Sequence, residues 1–386
     1  MAAPLKLLRI TTVPMSLKFL LPGQMKFMQT HGFEVLMISA DGDEIADVIA
    51  NEDCPHIVVP MTRKITPIKD LACLWELIKI FKKERPDIVH THTPKAGLLG
   101  MLAAKLSGVK VRIHTVAGLP LMVEKGFKFQ LLKFIEKLTY AAANQVWPNS
   151  FSLLQYIQTQ KLTSNKKLKV INKGSSNGIN LNRFSVANFK EETLNVVKKS
   201  IDYTEANTYL LCISRLVKDK GIIELVQTFQ QIQLTEKNIK LVLVGKFETD
   251  LDPLPTNILD EIKNNKNIIH IDWSNHVEYY ISLATLFIFP SHREGFPNVL
   301  LQAGAIGTPI ICSTIAGNVD LVEDKITGLR FIVEDTTEMK NQILFALNNP
   351  EQMKEMAATL KNNIFNFYDR EIMWQAILQE YKTLMQ

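Results

Sequence analysis

Short apolar runs alternate with amphipathic segments along the first half of the chain. Runs of this length, rich in Val, Ile and Leu, are typical of strands buried on both faces of a parallel sheet. Between them, apolar residues recur at helical spacing, as at residues 71–83 and 97–106. The pattern therefore predicts alternating helices and strands, with strands at residues 5–12, 34–39, 57–60, 88–90, 111–115, 145–148 and 169–171.

The same alternation restarts after a polar stretch at residues 185–207, which holds few large apolar side chains. We expect an α/β chain of two Rossmann-like domains, at residues 1–184 and 208–365, joined by this stretch. Residues 366–386 are predicted to form an amphipathic helix that crosses back to the N-terminal domain. The pattern in the second half predicts strands at residues 209–213, 240–244, 268–271, 286–289, 309–312 and 329–332.

The composition favours a folded intracellular protein. With 386 residues the chain is long for a single core, and 46% hydrophobic against 22% charged residues is typical of globular domains. No apolar run reaches the roughly 18 residues that a membrane span needs. The N-terminus lacks the long apolar stretch of a secretory signal, and the four scattered cysteines fit a reducing cytoplasm.

The charge is divided unevenly along the chain. The net charge is +5, but residues 1–173 hold 24 Lys and Arg against 13 Asp and Glu, which leaves the remainder acidic. A basic half indicates an anionic partner, and nucleic acid, an anionic bilayer and a diphosphate all remain open at this point.

Two segments that follow predicted strands carry the clearest chemistry. In residues 290–322 a strand leads through a polar loop with Glu294 and Gly295 into a helix that starts near Asn298. The open amides and the dipole of such a helix start suit a phosphate or sugar hydroxyls. In residues 213–221, Arg215 lies just past a strand and Lys220 at the mouth of the next helix. These two cations fit either a diphosphate site or a pair of solvated surface side chains.

These motifs, in this order and spacing, resemble the donor site of family 4 glycosyltransferases, which have the GT-B fold of two Rossmann-like domains facing across a cleft. The segments at residues 89–104 and 111–121 are similar to transferases of bacterial surface-polysaccharide assembly. The resemblance implies a retaining glycosyltransferase that moves a sugar from a nucleoside diphosphate. The expected reaction is transfer of an N-acetylhexosamine from a UDP-sugar to an undecaprenyl-diphosphate glycan, at the inner face of the plasma membrane.

The resemblance also implies roles for single residues. Arg215 and Lys220 would hold the donor diphosphate, and Glu294 would contact the donor sugar. Gln302 stands where the family has a second Glu for the ribose hydroxyls, so that contact would pass to a neutral amide. Trp273 either stacks on the base or packs as hydrophobic bulk. Backbone groups would line the donor sugar and diphosphate at Gly295, Phe296, Pro297, Asn298 and Val299.

Histidines mark the acceptor side. His90 and His92 end one predicted strand and His114 ends another, so their imidazoles are expected at the carboxyl edge of the sheet. By resemblance, His114 takes the position of the active-site histidine of the family and ranks above the other two. Lys95 follows the turn after His92 and is expected to meet an acceptor phosphate.

No metal or cofactor is expected. The acidic pair of residues 41–43 imitates a metal motif of another glycosyltransferase fold but is interpreted as a turn. Residues 123–138 mix Lys with Phe and Leu at helical spacing, which fits either an interfacial helix on an anionic membrane or an ordinary core-facing helix. The basic half favours the membrane as partner, without nucleic acid.

Two rival functions follow from the same residues. A nucleotide-sugar 2-epimerase on this fold would convert the donor alone. A non-catalytic protein would bind the nucleotide-sugar as a scaffold, or nucleic acid through its basic half.

Overall fold

The computed structural model describes residues 4–248 and 252–386, which fold into two compact units. The first unit runs to Gly178 and adds Arg370–Gln386, and the second is Ile179–Asp369. The chain therefore changes unit at residues 178–179 and again at residues 369–370.

The first unit is built on a six-stranded parallel sheet in the order β3-β2-β1-β4-β5-β6. Its strands are β1 (Leu5–Ile10), β2 (Phe33–Ser39), β3 (His56–Val58), β4 (Ile88–His92), β5 (Val111–Val116) and β6 (Gln145–Pro148). Its helices are α1 (Pro14–Leu20), α2 (Gln24–Thr30), α3 (Ile45–Glu52), α4 (Pro67–Glu84), α5 (Pro94–Leu106), α6 (Gly126–Ala142), α7 (Phe151–Thr159) and α16 (Arg370–Met385). Residues 169–171, predicted as a seventh strand, form none, and Leu168 makes only a single bridge to Val146.

The second unit repeats this architecture with the strand order β12-β11-β10-β7-β8-β9. Its strands are β7 (Thr208–Ile213), β8 (Ile239–Val244), β9 (Ile268–Ile271), β10 (Leu286–Phe289), β11 (Ile310–Ser313) and β12 (Leu329–Phe331). Its helices are α8 (Glu191–Ser200), α9 (Ile222–Ile232), α10 (Thr256–Asn264), α11 (Val277–Leu283), α12 (Asn298–Ile306), α13 (Asn318–Leu321), α14 (Thr336–Asn348) and α15 (Pro350–Phe367). Both sheets thus have the Rossmann-like order, and the prediction of two α/β sheets is confirmed.

Each sheet separates two apolar cores, because successive side chains of a strand point to opposite faces. In the first unit Leu8 faces the core beneath α4 and α5, and Leu7 faces the core that contains α16. Tyr381 of α16 is fully buried in this second core, and its hydroxyl contacts both Arg9 and His90. The C-terminal helix is therefore an integral part of the first unit.

Residues 185–207, for which the sequence predicts a connection between domains, lie inside the second unit and contain α8. Val197 and Ile201 are buried, and Ser200 Oγ lies 2.9 Å from the Tyr280 hydroxyl of α11. The stretch is polar because α8 buries only one narrow face, so its composition resembles that of a linker.

Within residues 4–248 and 252–386, no helix combines the length and the apolar character that crossing a bilayer requires.

Candidate functional site

The candidate donor site lies at the carboxyl edge of the second sheet. The adjacent parallel strands β7 and β10 both end there, and the loops that follow them hold residues 214–221 and 290–297. The order of strands reverses between these two strands, because the chain adds β8 on one side and β11 on the other. Ligands of open α/β sheets bind at such a switch point.

Lys220 and Glu294, predicted separately from the two motifs, form an ion pair at this edge. The Lys220 Nζ is 2.6 Å from Glu294 Oε1, and both side chains are largely buried. Ser291 Oγ also donates to Glu294 Oε1, at 2.9 Å. These charge-assisted hydrogen bonds are short and strong, so they fix the ammonium and the carboxylate next to each other.

Glycines allow the loops of this site to approach each other closely. Gly221 has φ +68°, and a β-carbon on it would lie 2.1 Å from the Pro290 carbonyl oxygen. Gly317 has φ +84°, and its β-carbon would lie 2.8 Å from the Gly295 carbonyl oxygen. Only glycine combines a left-handed backbone with this close contact, so both positions require it.

Arg215 follows β7 at the same edge, where its guanidinium pairs with Glu248 at 2.7 Å and stays partly exposed. Asp219 shows that this edge is electropositive. Burial opposes ionisation of its carboxyl, but Lys220, Arg293 and Arg215 lower its pKa overall. The structure thus brings both predicted cations to one edge of the second unit.

Sequence reasoning missed the contacts that hold the loop of Glu294 in place. Arg293 pairs with Asp219 at 2.8 Å, and the His292 backbone amide donates to the Asp219 carbonyl oxygen at 2.9 Å. His292 Nε2 lies 3.3 Å from Glu224, and this neighbouring carboxylate raises the pKa of the imidazole. The signal in the sequence was the clustering of opposite charges at residues 218–224 and 292–294, which we interpreted only through Lys220 and Glu294.

The helix α12 starts at Asn298, as the sequence predicts, with Pro297 at its N-cap. No side chain of the described residues caps this end, so the site keeps the amide-rich helix start that favours anions. Phe296 is buried against Tyr368, with ring centroids 5.5 Å apart, which leaves only its backbone for a ligand. Val299 and Gln302 are partly buried on the same helix.

Trp273 is half exposed after β9, with the Lys246 ammonium 5.8 Å from its ring centroid. Its indole N–H donates to Asn275 Oδ1 at 3.3 Å. The sequence leaves two roles open for Trp273, and its exposure excludes the role of buried hydrophobic bulk. Stacking on a base stays a prediction.

The three histidines predicted at the site, His90, His92 and His114, lie on β4 and β5 and are almost entirely buried. The roles that the resemblance implies for them stay predictions. His114 faces α5, its Nδ1 lies 2.9 Å from Thr91 Oγ1, and a β-carbon on Gly97 would come within 2.3 Å of the ring. Burial lowers the pKa of His114 to about 4, so the ring is neutral at physiological pH. His114 lies on the opposite face of β5 from Ile113, because successive side chains of a strand alternate between the faces.

His90 and His92 stack on each other with centroids 4.4 Å apart. His90 is held by Thr115 and Tyr381, while His92 Nε2 and Trp147 Nε1 lack hydrogen-bond partners among the described residues. Both line a cavity of about 10 Å³, enough for about one water. His92 thus lines this cavity and has a buried ring nitrogen without a hydrogen-bond partner among the described residues.

Lys95 is already paired within the first unit. Its ammonium lies 2.7 Å from Asp70 Oδ1 and also donates to the Lys64 carbonyl oxygen. Contact with an acceptor phosphate would have to compete with this pair. Among residues 4–248 and 252–386, no group of three or more His, Cys, Asp or Glu is arranged to hold a metal ion.

Family models and relatives match nearly the whole chain. A model described as "Glycosyl transferases group 1" matches residues 197–363, and one described as "Glycosyl transferase 4-like" matches residues 18–150. The capsular polysaccharide biosynthesis glycosyltransferase CapM of Staphylococcus aureus is 34% identical over 98% of this chain and 97% of its own length. An Escherichia coli enzyme described as UDP-Gal:alpha-D-GlcNAc-diphosphoundecaprenol alpha-1,3-galactosyltransferase is 25% identical over 90% of this chain and 88% of its own.

Among solved structures, the Anabaena protein HepE in complex with UDP and glucose superposes with a TM-score of 0.82 at 16% identity. The match covers 98% of this chain and 100% of that one. A likeness at this identity concerns the fold alone, and it confirms the prediction of the GT-B fold.

Proposed function

This chain belongs to the glycosyltransferases with group 1 and 4-like domains, and we propose that it transfers a sugar from a nucleoside diphosphate to a lipid-linked glycan of a bacterial surface polysaccharide. The observation that carries the donor part is the Lys220–Glu294 pair at the switch point of the second sheet. The cation suits a diphosphate, and the carboxylate suits the hydroxyls of the sugar attached to it.

In the proposed reaction, the bond between the anomeric carbon and the diphosphate oxygen breaks as the acceptor hydroxyl attacks from the same face. The leaving diphosphate gains negative charge, which Arg215, Lys220 and the amide end of α12 stabilise. The acceptor proton passes to the departing phosphate oxygen, so no separate base is required. Glu294 orients the sugar, the transfer retains the anomeric configuration, and neither metal nor cofactor takes part.

The proposed donor is a UDP-N-acetylhexosamine, and the proposed acceptor is a sugar on undecaprenyl diphosphate. The names of the relatives support UDP as the nucleotide and a polyprenyl-diphosphate acceptor, since the E. coli enzyme uses UDP-Gal and a diphosphoundecaprenol acceptor and CapM belongs to capsular polysaccharide synthesis. The N-acetylhexosamine rests on the sequence resemblance. The uneven charge supports an anionic membrane-borne acceptor, because the first 173 residues carry the basic excess. The site of action is then the inner face of the plasma membrane.

The test is a transfer assay on the purified full chain with UDP-GlcNAc, UDP-GalNAc, UDP-Gal and UDP-Glc, each with a polyprenyl-diphosphate sugar as acceptor. Proton NMR of the product identifies the new linkage from its anomeric coupling. We expect an α linkage from an α-configured donor. A β-linked product would contradict retention.

The same assay without acceptor separates the rival functions. Isomerisation of the donor alone would establish an epimerase in place of a transferase. Nucleotide binding with neither transfer nor isomerisation across the four donors would support a scaffold.

A further inference from the structure

Two helices of the first unit expose large apolar side chains to solvent. On α4, Ile68 is 88% exposed and Trp75 is 60% exposed. On α6, Phe127 is 83% exposed and Phe134 is 64% exposed. Single exposed apolar residues are ordinary, but several large ones on two helices of the same layer mark a surface that binds something.

The exposed residues form one stripe on each helix. Ile68, Leu71 and Trp75 recur at spacings of three and four along α4, opposite the buried Leu77 and Phe81. Residues with these spacings lie on one side of a helix. On α4, the exposed stripe therefore lies on the side of the helix away from its buried face.

On α6 the spacings are four and three, from Phe127 through Leu131 to Phe134. These residues lie opposite the buried Glu136 and Tyr140. The sequence pattern of this segment left two alternatives open, a core-facing helix and an interfacial one. In the structure α6 has both faces, one buried and one exposed.

The two stripes lie on the same side of the first sheet. Both helices pack against α5, and all three connect parallel strands in the same direction across the sheet. Right-handed crossovers place such helices side by side on one face. We call the surface formed by Ile68, Leu71, Trp75, Phe127, Leu131 and Phe134 the docking face.

The fully exposed charged residues around the docking face are all basic. Within the fully described segments 63–84 and 123–138, all of the exposed charged side chains are basic, while every acidic side chain is partly or fully buried. The acidic Asp70 and Glu124 are each paired with a lysine. The exposed basic side chains are Arg63, Lys64, Lys69, Lys79, Lys82, Lys83, Lys125, Lys128 and Lys137.

We propose that the docking face binds an anionic lipid bilayer, with its apolar stripes in the headgroup region and its lysines on the lipid phosphates. An apolar stripe bordered by lysines is the pattern of interfacial helices. A long lysine side chain covers apolar surface with its stem while its ammonium reaches the phosphates. Trp75 suits this position, since indole rings prefer the boundary between acyl chains and headgroups.

This attachment sets the orientation of the first unit. With both stripes on the bilayer, α4, α6 and the strands beneath them run along the membrane plane. The start of α4 then lies at the bilayer surface, and Lys95, which donates to the Lys64 carbonyl oxygen, follows β4 close to it. This orientation brings Lys95, on the predicted acceptor side, to the level of a lipid diphosphate. Its relevance to catalysis rests on the proposed lipid-linked acceptor.

The test is flotation of the full chain with vesicles, without nucleotide or acceptor. Vesicles of phosphatidylglycerol and phosphatidylcholine in equal parts are compared with vesicles of phosphatidylcholine alone. We expect binding to the anionic vesicles that weakens with salt, as attraction to a charged surface does. The doubles Ile68→Ser/Trp75→Ser and Phe127→Ser/Phe134→Ser should each lower the partition coefficient at least about tenfold.

The matched control replaces two exposed apolar residues of the second unit, Leu234→Ser/Val196→Ser, and should bind like the wild type. Thermal melts verify that each variant is folded. Wild-type flotation by either docking-face double, or no flotation of the wild type, would overturn the proposal.

A dimer of the wild type that the same substitutions dissociate, seen by light scattering without vesicles, would instead assign the docking face to a second copy of this chain. Because binding is measured without substrates, a chain that binds vesicles but transfers no sugar would contradict the proposed function and leave this proposal standing.

Discussion

The Glu294 carboxylate is held by two donors, the Lys220 ammonium at 2.6 Å and the Ser291 hydroxyl at 2.9 Å. In the proposed reaction it orients the sugar, while the cations hold the diphosphate. Glu294→Gln keeps the shape of the side chain but removes its charge. We therefore expect transfer to fall at least about tenfold while UDP still binds, as measured by initial rates and calorimetry.

The matched control for this substitution is Glu351→Gln at an exposed position of α15, which should transfer at the wild-type rate. If Glu294→Gln retained full activity, the carboxylate would have no part in orienting the sugar.

A second carboxyl, Glu136 of α6, is almost fully buried, and burial raises its pKa from 4.5 to about 7. The folded state therefore binds a proton that the unfolded state has released between these pH values, so this contribution to stability is lost as pH rises from 4.5 through 7. Relative to Glu136→Gln, the wild type should lose about 3 kcal/mol of unfolding free energy across this window. Urea denaturation at pH 5 and pH 8 measures it, and equal pH dependence in both proteins would contradict the assignment.

At this scale the sequence predicts which residue types gather, but not which way they point. Lys220 and Glu294 could be named from two motifs because each follows a strand of the same sheet. The strand of His114 could be predicted, but its face could not, because a shift of one residue along β5 moves a side chain from one face of the sheet to the other. The pairing of Lys95 with Asp70 was not predicted, because Asp70 is on another helix, 25 residues away.

At the scale of elements, the contact between the loop before α9 and the loop after β10 depends on Gly221. Gly221→Ala would place a methyl group 2.1 Å from the Pro290 carbonyl oxygen at φ +68°, so one of the two loops must move. We expect this substitution to lower the free energy of unfolding by at least about 2 kcal/mol more than the same substitution at a glycine of similar φ whose β-carbon would meet no other atom. UDP binding should weaken with it.

Gly108 provides that comparison, since its φ is +73° and a β-carbon would meet nothing within 4 Å. Gly108→Ala should cost only about 1 kcal/mol and leave UDP binding unchanged. Equal losses in the two variants, by urea denaturation, would show that the close approach of the loops is not needed.

The elements themselves were largely predictable, because buried parallel strands and amphipathic helices leave strong periodic patterns. The errors have physical causes. Residues 169–171 are apolar enough for a strand, yet their pairing with β6 is limited to one hydrogen bond, from the Lys169 amide to the Val146 carbonyl oxygen at 3.2 Å. The polar α8 was interpreted as a connection because it buries only a narrow face. The exposed stripe of α4 was missed because apolar residues in a helix pattern do not reveal which of them are buried.

At the scale of the whole molecule, the two units share one strand order, so each has a switch point between its first and fourth strands. The duplication was visible in the sequence as a pattern that restarts. The places where the chain changes unit were not predicted. Residues 178–179 lie in a segment of turns and residues 369–370 in the short break between α15 and α16, whereas the sequence predicts the connection at the polar residues 185–207. The second unit gathers Arg215, Lys220, Glu294 and the start of α12, and the central claim is that these groups grip a nucleoside diphosphate.

Calorimetric titration of the full chain with UDP tests this claim most directly. We expect the wild type and the control Lys237→Ala, which changes an exposed lysine of the same unit, to bind UDP equally. Lys220→Ala should bind at least about tenfold more weakly, because it loses a charge-assisted contact to phosphate. Undiminished binding by Lys220→Ala, or no binding of UDP by the wild type, would contradict the account.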